Sequence, residues 1–172
     1  MRRPSERHPD APAGSAPSPD RPLRGRCACG AVRFRVTRPF RTAGYCHCHR
    51  CRRRSGAPFS LNALVEADGV EITTGSGSLR SWRPEPTVRA KFFCARCGGH
   101  LFAGDPGRDR LIAVRIGALE EDPAIEPTWH AWTSSAPAWL PIPDDGLGRF
   151  AQGRAQAEPA GGAGQESSGM PW

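Results

Sequence analysis

The chain has 172 residues, 38% of them hydrophobic and 24% charged, which is enough for one modest domain. It contains no run of about 18 apolar residues and no apolar signal core near its start, which excludes a helical membrane span and predicts a cytoplasmic protein. The net charge is +7, but of 24 basic residues only Lys91 is a lysine, in a chain also rich in Pro, Ala and Gly; a GC-rich coding sequence explains this better than a phosphate-binding surface.

Residues 1–22 hold six prolines and almost no large apolar side chain, so they are predicted to form a disordered tail. Within 31–36, Val32, Phe34 and Val36 alternate with Arg33 and Arg35, the period of a half-buried strand. Further strands are expected at 59–65, 70–73, 78–82, 88–93 and 111–116, each bounded by Gly, Pro, Asp or Ser. No comparably long segment has the helical period of 3.6. Residues 151–172, rich in Ala, Gly, Gln and Ser, are a second expected tail. The prediction is one folded unit over 23–150, all-β, with antiparallel sheets.

The seven cysteines fall into three groups: Cys27 and Cys29; Cys46, Cys48 and Cys51; Cys94 and Cys97. In a reducing compartment such clusters are metal sites far more often than disulfides. Zinc takes thiolates at about 2.3 Å in a tetrahedron, and a short C-x2-C loop brings two sulfurs to one ion. Gly98-Gly99 suits a backbone that passes close to the sulfurs. Cys27, Cys29, Cys94 and Cys97 would close one such site, leaving Cys46, Cys48 and Cys51 as three thiolates with an open position for water or substrate. Spacing alone also permits Cys27 and Cys29 to join Cys48 and Cys51, with Cys46 left over.

The run from Gly25 through Cys27-Ala28-Cys29-Gly30 to Phe34, then Cys46-His47-Cys48-His49-Arg50-Cys51-Arg52, then Phe93-Cys94-Ala95-Arg96-Cys97-Gly98, resembles the glutathione-dependent formaldehyde-activating enzyme family, which shares its domain with centromere protein V. The segment from His130 to Trp139 is similar to that family's C-terminal motif, with one residue inserted between Pro137 and Trp139. The resemblance implies an Mss4-like (β-tent) fold. It implies a structural zinc on Cys27, Cys29, Cys94 and Cys97 and a catalytic zinc on Cys46, Cys48 and Cys51, two ions per chain. It also implies carbon–sulfur lyase activity on a thiol–aldehyde adduct, with glutathione or another small thiol and formaldehyde as partners. The competing class is a non-catalytic zinc module that binds nucleic acid or protein.

Arg50, Arg52, Arg53 and Arg54 flank the second cluster and match the carboxylates of a peptide-like thiol, or else form a solvated basic face. In an extended C-x-C segment His47 points away from a metal held by Cys46 and Cys48, whereas His49 is less constrained. His130 is either a proton shuttle or a packed ring with one nitrogen bonded. Trp82, Trp129, Trp132 and Trp139 read as core or pocket walls, each with an indole N–H to satisfy.

Overall fold

The computed structural model describes residue 14 and residues 16–85, 89–105 and 108–154. Its strands are β1 (Leu23–Arg26), β2 (Arg33–Val36), β3 (Thr42–Cys46), β4 (Ser60–Glu66), β5 (Val70–Thr74), β6 (Leu79–Trp82), β7 (Lys91–Cys94), β8 (His100–Ala103), β9 (Leu111–Arg115), β10 (Pro127–Ala131) and β11 (Gly148–Phe150), with one short α-helix among the described residues, α1 (His49–Ser55), and four single-turn 3-10 helices. The protein is all-β, as the period-two pattern predicts. Among the described residues no helix is long and apolar enough to cross a membrane.

The strands form two sheets, a three-stranded one in the order β1-β2-β5 and an eight-stranded one in the order β11-β10-β3-β4-β9-β8-β7-β6. Most pairings are antiparallel, but β10 runs parallel to both β3 and β11, which alternation within a strand cannot reveal. The expected strands appear within a few residues of their predicted bounds; β7 starts at Lys91, and Val88 lies outside the described residues. Residues 1–13 and 155–172, most of both expected tails, also lie outside them. Packed structure passes both limits of the expected unit. Pro17 is buried, Ser18 and Arg21 exchange backbone hydrogen bonds, and the Gln152 carbonyl accepts the Trp132 N–H at 3.1 Å.

The core lies between the sheets. Val32, just before β2, and Phe34 and Val36 within it meet Val65, Leu101, Phe102, Ile112 and Val114 of the larger sheet. The Phe34 ring, 1% exposed, stands edge-on to Phe102 with centroids 4.7 Å apart. Gly25 of β1 lies against that ring, and a Cβ there would come within 2.1 Å of it. The glycine is thus required by packing, since its neighbour is enclosed on every side. Gly25→Ala is expected to destabilise the fold by about 1–3 kcal/mol, read as a lower urea midpoint at unchanged m-value. A midpoint equal to wild type would show that ring and strand separate freely.

Candidate metal centre and its pocket

Two groups of sulfur atoms converge, and they divide the seven cysteines four and three. Cys27 and Cys29 lie in the turn after β1, Cys94 ends β7, and Cys97 lies in the turn from β7 to β8. Gly30 (φ 73°) and Gly98 (φ 72°) adopt left-handed backbone in these turns, which lets each chain reverse around its sulfurs. The four sulfurs lie within 4.8 Å of one another. Cys27 and Cys29 are 3.6 Å apart and Cys29 and Cys94 3.9 Å, against the roughly 3.8 Å edge of a tetrahedron with 2.3 Å metal–sulfur bonds. Backbone N–H groups of Cys29 and Gly99 pull the Cys97 thiol down to about 6, favouring the ionised form that ligates metal.

The second group is built differently. Cys46 ends β3, Cys48 precedes α1 and accepts the Cys51 N–H at 3.4 Å, and Cys51 is the buried residue of the helix. The helix ends at Gly56 (φ 65°), and Arg52, Arg53 and Arg54 occupy its last turn, where cations suit the dipole. Hydrogen bonding to Cys48 and Cys51 pushes the Cys46 thiol up, while contacts with Cys46 and Cys48, helped by Arg115, push Cys51 down. Three thiolates this close repel, so ionising all of them requires a cation among them. Both donor sets, soft and anionic, fit a thiophilic divalent ion. Neither His47 nor His49 is in the three-sulfur cluster.

Strand alternation assigns the two faces of the large sheet to different tasks. Cys46, Asn62, Arg115 and Trp129 share one face and line a cavity of about 320 Å³ with Cys48 and Cys51. Among the described residues no acidic side chain lines it. Trp129 packs on Gly44, where a Cβ would lie 2.2 Å from the indole, and its N–H donates to Thr42 Oγ1 at 2.8 Å. On the opposite face, His47 Nε2 meets His130 Nδ1 at 2.9 Å, and His130 Nε2 meets Asp145 Oδ2 at 3.0 Å, with Tyr45 stacked on the His130 ring. His47 therefore points away from the sulfurs, as the C-x-C geometry predicts. His130 does not line the cavity: it is a packed, doubly bonded ring.

Of the four arginines around α1, Arg50 lines the cavity. Arg52 donates to the Ser135 carbonyl at 2.7 Å, Arg53 is exposed, and Arg54 lies over the rings of Trp82 and Phe93. Trp129 and Trp132 are pocket walls, but Trp82 and Trp139 are 41% and 69% exposed, a correction to their reading as core or wall. Sequence reasoning missed Asn62, Lys91, Arg115 and Arg154, which also line the cavity. Arg115 carried a usable signal: it shares the period-two face of Leu111 and Ala113, opposite buried Ile112 and Val114.

Comparison with known proteins places these features in a family. Residues 22–135 match the glutathione-dependent formaldehyde-activating enzyme family. The chain belongs to that family. A Halomonas elongata protein named for this activity is 29% identical over 127 residues, covering 70% of this chain and 80% of that protein. A Penicillium rubens protein named likewise is 32% identical over 116 residues, 64% of this chain and 60% of that protein. A crystal structure of a Rhodobacter sphaeroides protein shares the fold, with a TM-score of 0.50 and 22% identity over 74% of this chain and 98% of that one.

The family match ends before Asp145 and Arg154, so part of the histidine network and part of the pocket wall come from the segment beyond it. Hydrogen bonding to His130 holds the Asp145 carboxyl below its ordinary value. A depressed carboxyl contributes stability above its unfolded pKa of about 3.9, and that contribution disappears as pH falls through the lower folded value. The gap in urea midpoint between wild type and Asp145→Asn is therefore expected to close as pH falls below about 4. A gap independent of pH would remove the carboxylate from the network.

Proposed function

We propose that the three-sulfur cluster and its cavity are the active site of a zinc-dependent carbon–sulfur lyase. Its reaction joins a small thiol such as glutathione to formaldehyde, giving the S-hydroxymethyl thioether, or cleaves that adduct. The observation that carries this reading is the inequality of the two clusters. Four sulfurs, two of them buried, meet at tetrahedral spacing, whereas Cys46, Cys48 and Cys51 line a cavity large enough for a small ligand. The family's name supplies glutathione and formaldehyde.

Zinc held by Cys46, Cys48 and Cys51 would make the thiolate of an incoming thiol available near neutral pH. The chain's own residues bind and shield. Trp129, Trp132 and Leu64 give the cavity apolar walls, and Arg50 supplies positive charge beside the sulfurs. In the forward direction a carbon–sulfur bond forms as the thiolate adds to the carbonyl carbon, and the new alkoxide takes one proton from solvent. The reverse reaction returns that proton and breaks the same bond. All seven cysteines are free, so a reducing compartment such as the cytoplasm suits the protein.

Thiol and formaldehyde combine spontaneously, so the test is kinetic. Zinc-loaded protein is expected to speed the approach to equilibrium, and Cys48→Ala to lower that acceleration at least about 100-fold while removing one of two bound zinc equivalents. Cys97→Ala is expected to lose metal and folding together, because a metal bound only by the folded chain contributes its binding energy to folding. Two bound metals with no acceleration would favour a non-catalytic zinc module.

A further inference from the structure

The cations around the cavity are not equivalent. At the rim, Arg41 is paired with Glu66 at 2.9 Å and Arg89 with Asp109 at 3.4 Å. Arg154 donates to Thr42 Oγ1 and lies over the Trp129 ring. Arg115 has no carboxylate partner among the described residues, and the anion its charge acts on is the Cys51 thiol when ionised. Arg115 is 9% exposed, its Nε has no hydrogen-bond partner among the described residues, and its Nη1 donates to the neutral amide oxygen of Asn62. Lys91, the chain's single lysine, lines the same cavity without an ion pair among the described residues. An Arg50 guanidinium nitrogen is also buried and unpartnered.

We propose that Arg115, with Lys91, forms an anion subsite that holds a carboxylate of the substrate, so that the pocket selects thiols by their carboxylate as well as by their sulfur. This rests on the lyase reading for the thiol; the subsite itself rests on the cations. A buried guanidinium with an open N–H is costly to leave unpaired, and its planar fork accepts a carboxylate in bidentate fashion. Burial lowers the Lys91 pKa, a penalty that a bound anion relieves. Apolar walls of Trp129, Leu64 and Leu111 and a volume of about 320 Å³ suit a small organic anion and not a polymer.

Location supports the same occupant. Asn62 accepts from Arg115 and donates to the Ser60 carbonyl and hydroxyl at 3.1 Å, and Ser60 is the cross-strand neighbour of Cys46. A molecule with its carboxylate on Arg115 therefore lies in the same cavity as the three sulfurs. The cations sit on β7 and β9, two strands of one sheet, so the subsite is formed by rigid elements rather than a loop.

The experiment is calorimetric titration of the zinc-loaded full chain with S-methylglutathione, whose sulfur is blocked, and with its diethyl ester. Wild type is expected to bind the diacid at least about tenfold more tightly than the diester, with the preference weakening as salt rises. Lys91→Met is expected to lose most of that preference, and its melting temperature and zinc content control for folding because Lys91 has no hydrogen-bond or ion-pair partner among the described residues. Arg115→Lys, which keeps the charge but loses the fork, is expected to retain part of it. Protection of one zinc from a chelator by glutathione, but not by S-methylglutathione, reports separately on the thiol reading. If that protection is absent while the diacid preference still depends on Lys91, the subsite stands and the lyase reading falls. Equal binding of diacid and diester, or a preference unchanged in both variants, would overturn the subsite.

Discussion

Four sulfur atoms must converge where the small and large sheets meet, and much of the remaining geometry follows from that demand. Cys27 and Cys29 come from the end of β1 in the three-stranded sheet, Cys94 and Cys97 from the end of β7 in the eight-stranded one. Cys27 and Cys94 are buried in the same cluster as Phe34, Leu101 and Val114, so the sulfur site is continuous with the apolar core. A cation shared by sulfurs so distant in sequence would fix one sheet against the other and, bound only by the folded chain, would add its binding energy to folding. It would also fix the end of β7, and with it Lys91 at the other end of that strand.

With the sheets so fixed, the alternation of strand side chains separates two chemistries. The core face of the large sheet carries Val65, Ile112 and Val114; the other carries Asn62, Leu64, Ala113 and Arg115. The same alternation within β3 and β10 puts Cys46 and Trp129 toward the cavity and Tyr45 and His130 away from it. The His47–His130–Asp145 chain thus braces the backbone that presents Cys46 and Cys48 from behind. The His47 N–H bonds to the Ala131 carbonyl at 3.0 Å, locking the cysteine segment to β10 through both main chain and side chain.

What the sequence disclosed and what it hid divide along physical lines. The alternation of Val32, Phe34 and Val36 is local, and β2 follows it. The cysteine groups were visible as clusters, but which groups meet depends on sheet order, and only the resemblance favoured the observed partition over its rival. Strand β3 carries Gly44 and a cysteine where a propensity rule wants branched side chains; its pairing comes from β4 and β10, whose partners are distant in sequence. Helix α1 has one buried residue, Cys51, and an arginine-rich exposed face, too little for an apolar period to register. The pocket cations lie on β7 and β9, far from the cysteine motif that drew attention to the arginines of α1.

Charge binds these parts into one unit. Three thiolates and one divalent cation would leave a net negative cluster, and Arg115 already favours the ionised form of Cys51. A lysine buried as deeply could release its proton and lose that influence, whereas a guanidinium remains charged at any physiological pH. An arginine on an otherwise apolar strand face would therefore serve two anions, the one on the sulfurs and the transient one on the ligand. A buried guanidinium whose one side-chain hydrogen bond goes to a neutral amide is a poor way to stabilise a sheet. Its presence on β9 is better explained by what enters the cavity than by the fold that surrounds it.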